Sequence, residues 1–131
     1  MNILIISFQM ADNWTNLEHK YSHIFDRNKD YGHAIELITF HDGWFNIVQT
    51  LLEELSNLQG VKINLIKEKW GCLRIQTHTV QGDVARALCS FAEKLSEKTC
   101  SKCGKAGTIQ NIGGYYIAIC SDCIKNQNQP L

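Results

Sequence analysis

Four cysteines near the end of the chain carry its clearest chemistry. Cys100 and Cys103 in "TCSKCGKAG" and Cys120 and Cys123 in "ICSDC" form two C-x2-C pairs separated by sixteen residues. Each pair fits on one tight turn, and two such turns facing one another match a tetrahedral four-thiolate zinc site. Four protein ligands leave no position for water, so the expected ion, one Zn2+ per chain, is structural and not catalytic. The intervening "GKAGTIQNIGGYYIAI" reads as strand, Gly-Gly turn, strand, a ribbon that brings the pairs together.

Other chemistry is sparse. No H-x-E accompanies the cysteines, as a zinc deaminase needs. The sixteen residues between the pairs hold neither histidine nor carboxylate, so a nuclease centre is not written there. Glu68 and Lys69 are adjacent and point to opposite faces of a strand. Cys72 follows a glycine at a predicted turn with His78 six residues on, a Cys/His dyad without an orienting third group; it remains the alternative, enzymatic centre. Cys89 reads as a small buried hydrophobe, and His19 and His23, at i and i+4, as surface residues.

A binding patch is the stronger candidate. Lys62, Lys67, Lys69, Arg74 and His78 share the polar side of a predicted hairpin with Trp70 at its tip. Aromatic anchor and positive charge are residue types enriched at binding hot spots, so Trp70, Arg74, Lys67 and Lys69 are the expected partner-binding group. The plainer alternative is a solvated sheet face with an anchoring tryptophan. Tyr115 and Tyr116 could stack on bases, although aromatics in so small a ribbon also serve to cover its core. Lys102, Lys105 and Lys125 against Asp122 and a tetrathiolate zinc of about minus two make the ribbon nearly neutral.

The elements that must position these residues follow from periodicity. Trp14, Leu17, Tyr21, Ile24 and Phe25 predict a helix over about 14–26. Trp44, Ile47, Val48, Leu51, Leu52, Leu55 and Leu58 predict a second over about 43–59, with Asp42 as N-cap and Gly60 as stop. In the hairpin, over about 61–79, Val61, Ile63, Leu65, Leu73 and Ile75 form the apolar face on which Leu51 and Leu55 should pack. A third helix over about 83–98 should turn Val84, Leu88, Phe91, Ala92 and Leu95 inward. Isoleucine-rich Asn2–Phe8 suggests a further strand, although Met10 offers a later start. The expected fold is α+β: helices on a hairpin or small antiparallel sheet over 1–98, a zinc ribbon over 99–125, and a frayed tail over 126–131.

Composition narrows the setting. The 131 residues, 44% apolar, suffice for one sizeable core, and thirteen basic against thirteen acidic side chains leave no net field to draw the chain to nucleic acid or membrane. "MNILIISFQM" lacks the basic region and cleavage site of a signal peptide, so the expectation is cytoplasmic, where paired cysteines are metal ligands more often than disulfides.

"KYSHIF", "HDGWFNIVQTLLEEL", "IKEKWGCLRI", "FAEKLSEKTCSKCGKAG" and "GGYYIAICSDC" stand in one order over roughly Glu18 to Cys123. In that order they resemble a group of small uncharacterised phage and prophage proteins with "GDGWYDLI", "KEKFGGLRFY" and a C-terminal zinc ribbon. The chain departs from that pattern at Ile75-Gln76 after "LR", at Cys72 in place of a second turn glycine, and at Cys123 where the group has "C-x-x-H". The resemblance implies a phage-associated origin and the same architecture, not an activity. The functional expectation is thus an accessory protein that binds a host macromolecule without catalysis, possible targets being a defence or transcription complex; the alternatives are a nucleic-acid-binding ribbon and an enzyme centred on Cys72.

Overall fold

The computed structural model describes residues 13–26, 32–79 and 82–127. The strand expected over Asn2–Phe8 and most of the expected tail lie outside these residues. Helix α1 covers 13–20. It is followed by β1 (Ile35–Glu36), a 3-10 helix (Thr39–Trp44), α2 (Phe45–Ser56), β2 (Lys62–Lys69), β3 (Cys72–Thr79), α3 (Asp83–Glu97), β4 (Thr108–Ile112), β5 (Tyr115–Ile119) and α4 (Ser121–Gln127). One sheet has the order β1-β2-β3, with β1 parallel and β3 antiparallel to β2; β4 and β5 form a second, antiparallel pair. The class is α+β, with the cysteine cluster at its C-terminal end. Among the described residues no helix is long and apolar enough to cross a membrane.

The amphipathic stripe of α2 builds the core. Val48, Leu51, Leu52 and Leu55 are buried and belong to one cluster with Ile63, Ile66 and Leu73 of the sheet. The helix begins at Phe45, after the 3-10 segment, so Asp42 does not cap it. The Asp42 Oδ1 instead accepts a 3.1 Å hydrogen bond from Trp14 Nε1, tying α1 to the 3-10 helix. Its other oxygen is buried without a hydrogen-bond partner among the described residues, and burial raises the carboxyl pKa, a shift that the Trp14 bond only partly offsets. The helix expected over 14–26 ends sooner, because Ile24 and Asp26 are drawn onto β2: Ile63 N–H donates to Ile24 O and Asp26 N–H to Ile63 O, each at 2.9 Å. All five residues of its stripe are nevertheless buried.

Two inward faces differ from the periodic expectation. In β2, Ile63 pairs with Thr77 and Leu65 with Gln76, so Asn64 is an extra residue and the alternation changes phase across it. Ile66 is therefore fully buried and Leu65, expected inside, is only half-buried. In α3 the buried residues are Ala85, Cys89, Ala92 and Ser96, whereas Val84, Phe91 and Leu95 are 61%, 66% and 40% exposed. The reason is that α3 runs along the free edge of β3, where the unpaired backbone needs acceptors more than oil. Ser96 Oγ accepts from Leu73 N–H and Glu93 Oε2 from Ile75 N–H, both at 2.9 Å. Small residues on that side let the helix come close enough to make these bonds.

Candidate metal centre and adjoining cleft

The first cysteine pair sits on a turn closed by Cys100 N–H to Lys105 O at 2.7 Å and Gly104 N–H to Cys100 O at 2.9 Å. The second leads into α4, which occupies residues expected partly as a turn and partly as tail; Cys123 N–H points at Cys120 Sγ, 3.4 Å away. The β4–β5 hairpin brings the pairs together, and the sulfurs of Cys100, Cys103, Cys120 and Cys123 all lie within 4.8 Å of one another. None of the four is in a disulfide. Around them is a small cluster of Cys100, Ile119 and Cys120, flanked by Ile112, Ile117 and Ile124.

The electrostatics of the cluster suit a cation. Burial pushes the Cys100 thiol up, but the backbone N–H groups of Cys103, Cys120 and Lys102 directed at its sulfur more than offset this and bring it to about 6. Cys123 is pushed up to about 12 by burial and by the neighbouring sulfurs of Cys120, Cys100 and Cys103. One thiolate thus forms readily, while accumulating negative charge opposes the last. A divalent ion removes that opposition, and four sulfurs at this spacing fit one soft, tetrahedral metal ion such as zinc.

The cysteine turn is seated on the core through "DGW". Gly43 N–H donates to Ser101 O at 2.7 Å, and Nε1 of the fully buried Trp44 donates to Thr99 O at 3.0 Å. A Cβ on Gly43 would lie 2.2 Å from the Cys100 carbonyl oxygen and 2.5 Å from the Gly104 nitrogen, so only glycine permits this approach. Gly43→Ala is expected to cost about 1–3 kcal/mol through overpacking and to speed metal release to a chelator. Thermal melting and a colorimetric chelator assay check both effects; a variant as stable and as retentive as the parent would show that the turn is not seated this way.

The same docking shapes a cleft. Trp70 and Gly71 form a two-residue hairpin loop with φ of 57° and 86°, the left-handed geometry of a type I′ turn. Glu68 Oε2 accepts from Gly71 N–H at 2.9 Å. A Cβ on Gly71 would lie 3.2 Å from Ile109 and from the Tyr116 backbone, so the hairpin tip rests against the β4–β5 pair. Trp70 meets Tyr116 edge-on at 5.8 Å. Between the tip, the 3-10 helix and β5 lies a cleft of about 820 Å3. Ile38, Phe40, Trp70, Tyr115 and Tyr116, five large apolar side chains left exposed, all border it. Lys102 Nζ stands over the Phe40 ring at 5.5 Å. His41 stacks on Trp44 at 5.4 Å, and burial lowers its pKa against the opposing influence of Glu68.

The expected partner-binding group is thereby divided. Trp70 and Lys69 border the cleft together with Tyr115 and Tyr116, which the sequence places in a separate candidate. Lys67 and Arg74 face each other across the β2–β3 ladder and do not border it. Cys72 is buried and its Sγ donates to Lys69 O at 3.3 Å. Burial raises its pKa, with Arg74 partly compensating, and a buried protonated thiol is a poor nucleophile. Phe40, His41 and Lys102 carry no periodic signal that could have marked them. No family model, curated protein or solved structure matches the chain.

Proposed function

We propose that the protein is a zinc-binding accessory protein of phage origin that acts in the cytoplasm of a bacterial host by binding a host macromolecule, a protein in the first place, without catalysis. One observation carries this reading: five exposed apolar side chains converge on a single cleft, with a tryptophan held in a backbone conformation that bulky residues rarely adopt. A left-handed tryptophan costs on the order of 1–3 kcal/mol, and a hairpin loop alone is better served by asparagine or glycine. Zinc, one ion on Cys100, Cys103, Cys120 and Cys123, supplies rigidity: it holds the ribbon that forms one wall. The order of motifs shared with the phage group supports the setting, and a defence or transcription complex fits as the target. Buried Cys72 argues against a nucleophilic centre.

The test separates the cleft from the rest of the hairpin. Trp70→Ala is expected to weaken partner binding about tenfold or more while zinc content and melting temperature stay near those of the parent. Arg74→Ala, outside the cleft, should have the smaller effect. Quantitative co-purification from host extract with mass spectrometry, repeated with both variants, measures this; equal loss in both, or none in either, would move the binding surface elsewhere.

A further inference from the structure

One wall of the cleft is a strand edge. β4 and β5 are joined by the two-residue Gly113–Gly114 turn, so Ile112 and Tyr115 close the ladder and Tyr115, Ile117 and Ile119 direct their backbone groups to β4. Tyr116 and Ala118 then point theirs away from it. The 2.8 Å bond from Ser101 N–H to Ala118 O fixes the same parity independently. Ser101 thus covers the edge at Ala118, whereas the Tyr116 N–H and C=O take no hydrogen bond from the described residues. Beside that unbonded pair, against whose carbonyl Gly71 packs, stands the exposed ring of Trp70, and exposed Phe40 borders the same cleft with Lys69 and Lys102.

We infer that the cleft receives an extended peptide segment of a partner protein, added as a strand at Tyr116. Its backbone exchanges hydrogen bonds with the Tyr116 N–H and C=O. Its apolar or aromatic side chains, at alternate positions, seat against Trp70 and Phe40, and an acidic side chain reaches Lys69 or Lys102. A free donor and acceptor on one strand residue match an amide backbone, and the aromatic walls supply side-chain selection. The charge balance favours peptide over single-stranded nucleic acid: Glu68 stands beside the two lysines, and its carboxylate is already engaged by Gly71 N–H, whereas a nucleic-acid strand needs a continuous row of cations along its phosphates. This rests on the cleft being the binding surface, as proposed above, and adds what is bound and how.

The zinc-loaded full chain is used to select from a random-sequence peptide library displayed on phage, with a labelled oligothymidylate as the competing probe. Enriched peptides should carry aliphatic or aromatic residues at alternating positions beside at least one aspartate or glutamate, and Trp70→Ala should bind them about tenfold more weakly or worse. Tyr116→Val keeps the outward N–H and Tyr116→Pro removes it without touching a bond to β4. The proline variant should bind a selected peptide at least about fivefold more weakly than the valine variant, a difference typical of one lost hydrogen bond. Should proline unseat the ribbon, as zinc loss would reveal, amide exchange of the parent decides: bound peptide should slow exchange at Tyr116. Binding that depends on Trp70 but is equal in the two Tyr116 variants, with Tyr116 exchange unchanged, overturns strand addition and leaves the cleft intact. No enrichment, enrichment indifferent to Trp70, or oligothymidylate binding in preference to peptide overturns the peptide assignment.

Discussion

Cys103→Ser is expected to abolish zinc binding and to unfold the segment beyond Lys98, while α2 and α3 remain formed. Apart from the metal, the segment is held by its seat on Gly43 and Trp44 and by Ala118 in the main core. Its cluster comprises three buried residues, two of them cysteines proposed as ligands, and a two-stranded hairpin is at best marginal in water. Structural zinc contributes roughly 10–16 kcal/mol in zinc-finger peptides, far more than such a cluster can provide. The main core depends less on the metal, because α2, α3 and the three-stranded sheet share a buried cluster to which the ribbon adds only Ala118, with Ile109 packed against it. Elemental analysis in reducing buffer should find one zinc in the parent and none in the variant. In amide spectra the resonances of 99–125 should collapse to random-coil positions, and the Trp44 indole N–H should shift as its acceptor at Thr99 is lost. Absence of zinc from the parent, or an intact ribbon in the variant, would refute a structural metal.

Leu55→Ala is expected to destabilise the chain by about 2–5 kcal/mol. Leu55 is fully buried in the cluster that joins α2 to Ile63, Ile66 and Leu73, so truncation removes apolar contact and leaves a cavity. Against a typical domain stability of about 5–15 kcal/mol, that loss should lower the urea midpoint markedly with little change in slope. Phe91→Ala is the informative control. The sequence stripe would put it in the core at a similar cost, but its side chain is 66% exposed, and a change within about 0.5 kcal/mol is expected. A cost for Leu55→Ala below about 1 kcal/mol, outside the range for a buried leucine, would mean that α2 is packed differently.

Much of the candidate site was legible because its signals are local. Two C-x2-C pairs put two thiols on each of two turns whatever surrounds them, and a Gly-Gly between apolar runs makes a hairpin that returns one pair to the other. The α2 stripe likewise follows from helical period, and a turn over "KEKWG" with Trp70 at its tip from the break in alternation, although β2 runs on to Lys69 and only Trp70 and Gly71 form the loop. The seam between core and ribbon left a weaker trace. Gly43 reads in the sequence as part of a helix start, yet what requires glycine is the Cys100 carbonyl, a group 57 residues away in the chain that comes within 2.2 Å of where a Cβ would sit.

The sequence by itself determined the α+β class, the convergence of the four cysteines and the stripe that builds the core, since each depends on spacing along the chain and on backbone geometry common to all proteins. Only the tertiary structure decided which side of α3 is buried, which of Leu65 and Ile66 enters the core, and that Phe40, Trp70, Tyr115 and Tyr116 share one cleft. Hydrophobic period tells which residues can face oil, but not what the neighbouring element demands. Along the edge of β3 that demand is for hydrogen-bond acceptors, so Ser96 and Glu93 face inward and Phe91 is left in water. A single extra residue at Asn64 inverts a strand's two faces without altering its apolar content. The cleft exists because Gly43 and Gly71 let two separately predicted units approach to van der Waals contact, a relation between surfaces that no local spacing records.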